Sequence, residues 1–191
     1  PGSNGAYETR ALARMIGSSG IDLLNISQGV SASRGVITPP AAIPPAFYAA
    51  FACKLKEVVD VPIAVVGRIS DPAIAEELIA SEATDFVGMG RSSLADPQFP
   101  LKVAQGRPED IIPCIACLRG CAGESRRGHA VHCALNPRTG REAEYAERFD
   151  LSEGMLPEAK SVMVIGGGIA GMEVALVAAA RGHIVDLYEA G

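Results

Sequence analysis

Val61-Pro62-Ile63-Ala64-Val65-Val66-Gly67-Arg68-Ile69-Ser70-Asp71-Pro72 is the stretch whose reading decides the fold. Its first half is an unbroken apolar run with no polar alternation, which predicts a strand covered on both faces, as in a parallel sheet. Gly67-Arg68 ends the run. Asp71 can accept a hydrogen bond from a free amide of a first helical turn, and Pro72 suits the first helical position because it lacks an N–H. A strand over 61–66 and a helix over 73–81 are therefore expected.

The same unit recurs on either side. Upstream, Glu8–Ser18 places Leu12, Met15 and Ile16 at helical spacing, and Gly20 stops it. A mostly apolar run, Ile21–Ser27, follows as a strand. The proline-rich connection from Thr38 to Pro45 then leads to a helical stretch over Ala46–Val59. Downstream, Asp85–Met89 reads as a third strand ending in Gly90-Arg91, and from Ser92 onward the pattern is helical but interrupted by Pro97 and Pro100. Strands alternating with helices imply an α/β fold with a parallel sheet. Its polar and glycine-rich residues follow the strand ends: Ser27-Gln28-Gly29, Gly67-Arg68 and Gly90-Arg91. Ligands of such sheets and barrels lie there, and loops after late barrel strands commonly hold a phosphate. Gly67, Arg68, Gly90 and Arg91 are accordingly candidate cofactor-binding residues, the alternative being two surface arginines beside helix starts.

The periodicity fails after residue 110. Pro113–Arg141 carries four of the five cysteines, spaced Cys114-x2-Cys117-x3-Cys121-x11-Cys133. Four thiolates within twenty residues suit a [4Fe–4S] cluster. They also suit a structural zinc, since Cys-x2-Cys halves are common there and His129 and His132 add donors. Spacing alone leaves both open, with unligated thiols as a third possibility. Cys53, alone in an apolar helical stretch, is expected to be a small core residue.

The charged stretch over residues 143–160 reads as a linker. Beyond it, Ser161–Ile165 is an apolar strand, Ile169–Arg181 an alanine-rich helix and Ile184–Glu189 a second strand. Between the first two lies Gly166-Gly167-Gly168-Ile169-Ala170-Gly171, a Gly-x-Gly-x-x-Gly. Gly166 serves the tight turn and Gly168 permits close approach of a pyrophosphate. Gly171 allows the helix to pack on the strand, and the amides around Ile169 and Ala170 face the phosphate end. Glu189, at the end of the second strand, is placed to accept hydrogen bonds from ribose hydroxyls and to repel a 2′-phosphate. FAD, ADP or NAD is thus expected here rather than NADP.

A net charge of −5 gives no reason to expect nucleic acid or an anionic membrane as a partner. No apolar run approaches a membrane span; Glu173 breaks the longest one. Clustered, odd-numbered cysteines without a secretory signal suggest a reducing compartment, the cytoplasm being the default. The absence of an initiator methionine, and an end at Gly191 within a strand–helix–strand unit, suggest a piece of a longer chain, one expected to be poorly soluble or inactive by itself.

Taken in order, Val61–Pro72, Gly88-Met-Gly-Arg-Ser-Ser-Leu-Ala-Asp-Pro97, Cys114-Ile-Ala-Cys-Leu-Arg-Gly-Cys121 and Cys133-Ala-Leu-Asn-Pro-Arg138 resemble the multidomain NADH:flavin oxidoreductases of the old yellow enzyme superfamily. That branch includes 2,4-dienoyl-CoA reductase, enoate reductase and trimethylamine dehydrogenase. The resemblance implies the C-terminal part of an FMN-binding (β/α)8 barrel over residues 1–110, a [4Fe–4S] segment over 111–142, and the first βαβ of a Rossmann-like domain over 161–191. It makes Cys114, Cys117, Cys121 and Cys133 cluster ligands. It implies that the backbone around Gly67-Arg68 and Gly90-Arg91 holds the FMN phosphate, with Asn25–Gly29 near the flavin. It further implies a small-molecule substrate whose activated C=C bond is reduced with electrons from NAD(P)H by way of FAD, the cluster and FMN. The alternatives are an amine dehydrogenase, in which ADP replaces FAD, and a non-catalytic zinc-binding piece. The barrel strands that would carry a proton donor lie outside the sequence, so no catalytic residue is assigned and Tyr7 and Tyr48 are not promoted to that role.

Overall fold

The computed structural model describes residues 5–30, 32–149 and 158–190. The chain divides into two units, residues 1–140 and 141–191, each described here by itself.

In the first unit, helix α1 (Ala6–Gly17) precedes strand β1 (Leu24–Ile26), the one-turn helix α2 (Arg34–Ile37) and helix α3 (Ala49–Lys56). Strand β2 (Ile63–Val65), helix α4 (Pro72–Ala80) and strand β3 (Phe86–Val87) follow, then two short helices, α5 (Gly90–Ala95) and α6 (Phe99–Ala104). The strands form one parallel sheet in the order β1-β2-β3, with Ile26 opposite Val65 and Val65 opposite Val87. Central β2 is buried at all three positions, as its unbroken apolar run predicts, whereas the outer strands are half covered. Every strand is shorter than the apolar run that foretold it. The flanking residues leave the hydrogen-bonded ladder to become the connecting loops.

Helix α4 begins as Asp71-Pro72 requires: the Asp71 carboxylate accepts the Ala73 N–H at 2.8 Å. Helix α3 begins three residues later than expected because Pro44-Pro45 and Ala46, whose φ is +51°, hold the chain out of helical geometry. The core between sheet and helices gathers Ala13, Ile26, Tyr48, Ala52, Leu55, Ile63, Val65 and Ile69. Full burial of each large member is worth roughly 2 kcal/mol. Cys53 is not in it. On α3 the buried positions are Ala52 and Leu55, one helical turn apart, and the neighbouring Cys53 is turned outward and exposed. Asp85 fastens β3 to β2, accepting the Ile63 N–H at 2.9 Å and the Lys56 ammonium at 2.8 Å.

The second unit contains helix α7 (Glu142–Phe149), strand β4 (Ser161–Ile165), helix α8 (Ile169–Ala180) and strand β5 (Ile184–Tyr188). Helix α7 falls within the stretch read as a linker. Its start is held by Arg141, which donates twice to Glu144 at 2.8 Å; residues 150–157 lie outside the described residues. Strands β4 and β5 pair in parallel across the crossover through α8. Apolar side chains remain exposed on α8 (Ile169, Val174, Leu176) and on both strands (Ile165, Ile184). No helix among the described residues is long and apolar enough to cross a membrane.

Candidate functional site

A cleft of about 550 Å³ lies beyond the ends of β2 and β3. Its wall includes Gly67, Arg68, Gly90 and Arg91, so the structure brings the two predicted loops to one site. The turn after β2 is built for close approach. Gly67 has φ +120°, a conformation that side-chain-bearing residues rarely adopt, and a Cβ there would meet the Tyr48 ring at 2.7 Å. Arg68 follows with φ +56°, also left-handed. Both arginine side chains donate to backbone carbonyls of the preceding connection. Arg68 Nη1 donates to the Ala41 carbonyl at 3.0 Å, and Arg91 Nη1 to the Pro39 carbonyl at 2.9 Å. Both belong to the proline-rich connection, and its Thr38 and Pro39, with Ile37 at the end of α2, also line the cleft.

Tyr48, missed by sequence reading as a part of this site, is 1% exposed and donates its hydroxyl to the Val36 carbonyl. Burial pushes its phenol above the ordinary value, with the nearby Arg91 guanidinium pulling the other way. It stays a neutral donor and a structural prop.

The four cysteines line one smaller pocket, together with Arg91, Leu94, Gly120 and His132. Cys117 is exposed and the other three are half-buried. The backbone bends sharply between them: Ala116 and Leu118 take φ of +52° and +58°, and Cys121 sits in a π-helical turn, Arg119–Gly123. The Ala116 N–H donates to Cys114 Sγ at 3.4 Å. Gly120 is needed because a Cβ would run into the backbone carbonyl and ring of His132, whose N–H donates to the Gly120 carbonyl at 2.9 Å. Among the described residues no three His, Cys, Asp or Glu close on a single-ion site. His129 is drawn away, bonded through Nδ1 to Glu124 at 2.7 Å. Arg127 joins it there, and His129 first, then Arg127, hold the half-buried Glu124 carboxyl below the ordinary carboxylate range.

Two anchors that the sequence reading left without a role fix this segment to the barrel piece. Asp96, 3% exposed, accepts Lys102 Nζ at 2.6 Å and the N–H groups of Ile112 and Gln98, each at 3.0 Å. Burial acts to raise the Asp96 carboxyl, but the Lys102 and backbone hydrogen bonds outweigh it and leave it below its ordinary value. At the far end, Asn136 Nδ2 and Thr139 Oγ1 both donate to the Leu94 carbonyl, at 3.0 and 2.7 Å. The signal was available. Asp71, Asp96 and Asn136 each precede proline, and each accepts the N–H two residues on.

Over residues 5–110 the sequence matches the NADH:flavin oxidoreductase / NADH oxidase family. The chain belongs to this family. Over 98% of its length it is 38% identical to an NADH oxidase of Thermoanaerobacter brockii, of which it covers 28%. It is also 38% identical, over 93% of its length, to a cinnamate reductase of Clostridium sporogenes, of which it covers 26%. Among solved structures, 2-naphthoyl-CoA reductase in complex with 2-naphthoyl-CoA matches 96% of the chain with a TM-score of 0.88 and 34% identity. The chain thus spans little more than a quarter of the length of the relatives it matches. The family is one of flavin-dependent oxidoreductases, and the three strand units of the first piece are consistent with part of its barrel.

In the second unit, the glycine loop is a tight turn between β4 and α8. Gly166 has φ +104°, and a Cβ on Gly171 would strike the Gly166 carbonyl, so α8 rests directly on the end of β4. Gly168 is the extended residue just before α8, and Ile169 and Ala170 open the helix. Glu189 reaches across from the end of β5, its carboxylate accepting the Gly167 N–H and the Ala190 N–H, the latter at 2.9 Å. That puts the acid at the rim of the loop, opposite the start of α8.

Proposed function

We propose that this chain is part of a flavin- and iron–sulfur-dependent oxidoreductase that reduces an activated C=C bond of a small unsaturated acid or acyl thioester, with NAD(P)H as donor. The observation that carries the reading is a shared wall. Arg91, Leu94, Cys114 and Cys121 border both the cleft between the Gly67 and Gly90 loops and the pocket lined by all four cysteines. A redox centre on those sulfurs would be separated from a ligand of the cleft by that wall alone. When bound, FMN supplies hydride transfer, the cluster single-electron transfer and FAD the exchange between the two regimes.

The chain's own contributions follow from its residues. Backbone amides around Gly67-Arg68 and Gly90-Arg91 would hold the FMN phosphate, with Gly67 admitting it because no side chain intrudes. Cys114, Cys117, Cys121 and Cys133 would ligate a [4Fe–4S] cluster. All four line one pocket, and four thiolate ligands are the usual set for such a cluster. The amides at the start of α8 would take the pyrophosphate of FAD or ADP, and Glu189 would turn from the Gly167 N–H to ribose hydroxyls.

The test is anaerobic purification of the complete protein, followed by metal and sulfide analysis, EPR of the dithionite-reduced sample and flavin extraction. About four iron and four sulfide per chain with FMN present support the reading. Stoichiometric zinc without sulfide refutes it. Oxidation of amines without NADH-driven alkene reduction would replace the reductase by the dehydrogenase reading.

A further inference from the structure

The turn after β2 is backed by a ring from another element. Gly67 bends the chain with φ +120°, and the space a side chain would take there is already filled. A Cβ at this position would meet Tyr48 Cδ2 at 2.7 Å, with Cε2 and Cγ of the same ring at 3.1 and 3.2 Å. Tyr48 is fastened at both ends. Its backbone caps α3, where its carbonyl accepts the Ala52 N–H at 3.0 Å and the Phe51 N–H at 3.1 Å. Its hydroxyl donates to the Val36 carbonyl in α2. The ring is buried among Ile63, Val65 and Ile69, yet it also lines the cleft. A close-packed interior of this kind yields little, so the position of the ring is passed on to the turn. The turn itself carries unused donors. Gly67 and Arg68 are half-buried, and none of the described residues accepts a hydrogen bond from the N–H of either. Half-buried backbone donors normally find a partner.

We propose that Tyr48 is a positioning residue for the flavin phosphate. Its ring braces the Gly67-Arg68 turn from the core, so that the two N–H groups stand ready for an anion before one arrives. Ordering the turn in advance lowers the cost that binding would otherwise carry. The hydroxyl keeps the ring in place and has no further task. The inference rests on the reading of the cleft as a flavin site, and adds to it a residue that acts through the turn. It has a consequence for specificity. A brace on the phosphate turn strengthens FMN and leaves riboflavin, which has the same ring system and ribityl chain but no phosphate, as it was.

The complete protein, stripped of flavin, is titrated with FMN and with riboflavin while the quenching of flavin fluorescence is followed. Tyr48→Leu removes the ring and keeps an apolar side chain in the core. The FMN Kd rises about tenfold or more, the scale of losing one hydrogen bond to a charged group, while the riboflavin Kd moves less than about threefold. Tyr48→Phe keeps the ring and recovers most of the preference for FMN. Tyr48→Met, whose flexible chain fills a gap without a rigid edge, loses that preference as leucine does, and stands in if the leucine variant does not fold. Parallel weakening of both flavins would overturn the proposal, because a residue that only supports the fold cannot single out the phosphate. An FMN Kd within about twofold of the parent in the leucine or methionine variant would overturn it equally. A parent protein that binds neither flavin, or binds both alike, refutes the reading of the cleft instead, so the parent titration distinguishes the two failures.

Discussion

Replacing Asp96 by alanine should damage the structure more than any other single polar change in the barrel piece. The carboxylate is buried and takes three hydrogen bonds. Truncation leaves the Gln98 and Ile112 N–H groups without it and strips Lys102 of its ion-pair partner, though Lys102 Nζ keeps the Asp110 carbonyl at 2.7 Å. Breaking a buried charge pair from one side costs about 3–5 kcal/mol. For a domain of this size each kcal/mol moves the transition by roughly 2–4 °C, which predicts a fall of roughly 6–20 °C. Differential scanning calorimetry of the complete protein, with visible absorbance followed in parallel, is the assay. Because the Ile112 N–H leads into the cysteine segment, any cluster absorbance should be lost at or before the barrel transition. Asp96→Asn, which keeps an acceptor but not the charge, should fall between. The pH dependence has a definite sign. The folded carboxyl titrates below its unfolded value of about 3.9, so the unfolded chain binds more protons in that range. The stability difference between parent and Asp96→Asn should be full above about pH 5 and shrink as pH falls through the folded value. A shift of less than about 2 °C for Asp96→Ala at pH 7 would refute the anchoring role.

Cys117→Ser removes the most exposed of the four thiols, and iron should fall from about four per chain to near zero with FMN retained; unchanged iron would take Cys117 out of the ligand set. Gly120→Ala drives a methyl into the His132 backbone, so it should deplete the same iron without touching a cysteine, and full retention by metal analysis would show that the turn can shift at little cost. Gly171→Val lifts α8 off the end of β4 and should abolish FAD or ADP retention while FMN per chain stays near that of the parent. Equal loss of both nucleotides on extraction would argue against separate sites.

The element order was legible because apolar runs and glycine stops are local signals. The run Val61–Val66 gave β2 and its burial, Asp71-Pro72 gave the start of α4, and the glycine loop gave the unit β4–α8–β5. Strand lengths in the first unit were not legible, since where a ladder ends depends on partners far along the chain, whereas β4 runs over Ser161–Ile165 as read. Of the candidate site, the grouping of the two glycine–arginine loops and of the four cysteines followed from spacing. The destinations of the arginine side chains did not, because carbonyls of a loop some thirty to fifty residues upstream cannot be read from a local pattern. Asp96 and Asn136 were visible only as turn residues. Their burial and the Lys102 ion pair are properties of the packed structure. Cys53 went wrong for a similar reason: an apolar helical stretch does not by itself say which of two adjacent residues faces inward.

The cysteine segment leaves the barrel piece at Ile112 and returns at Asn136–Thr139, and both ends are tied to Leu94 and Asp96, two positions apart at the end of α5. In polymer terms it is a closed loop with a common base. Closing a free loop of nearly thirty residues costs about 3 kcal/mol in the length-dependent term alone. Here hydrogen bonds within the protein supply that closure at the base, so the proposed cluster would need only to draw four sulfurs together within a ring already shut. The same topology makes the segment a graftable insert. Its exchange for a short turn between Ile112 and Asn136 would leave the sheet register untouched, since both anchors and α6 remain.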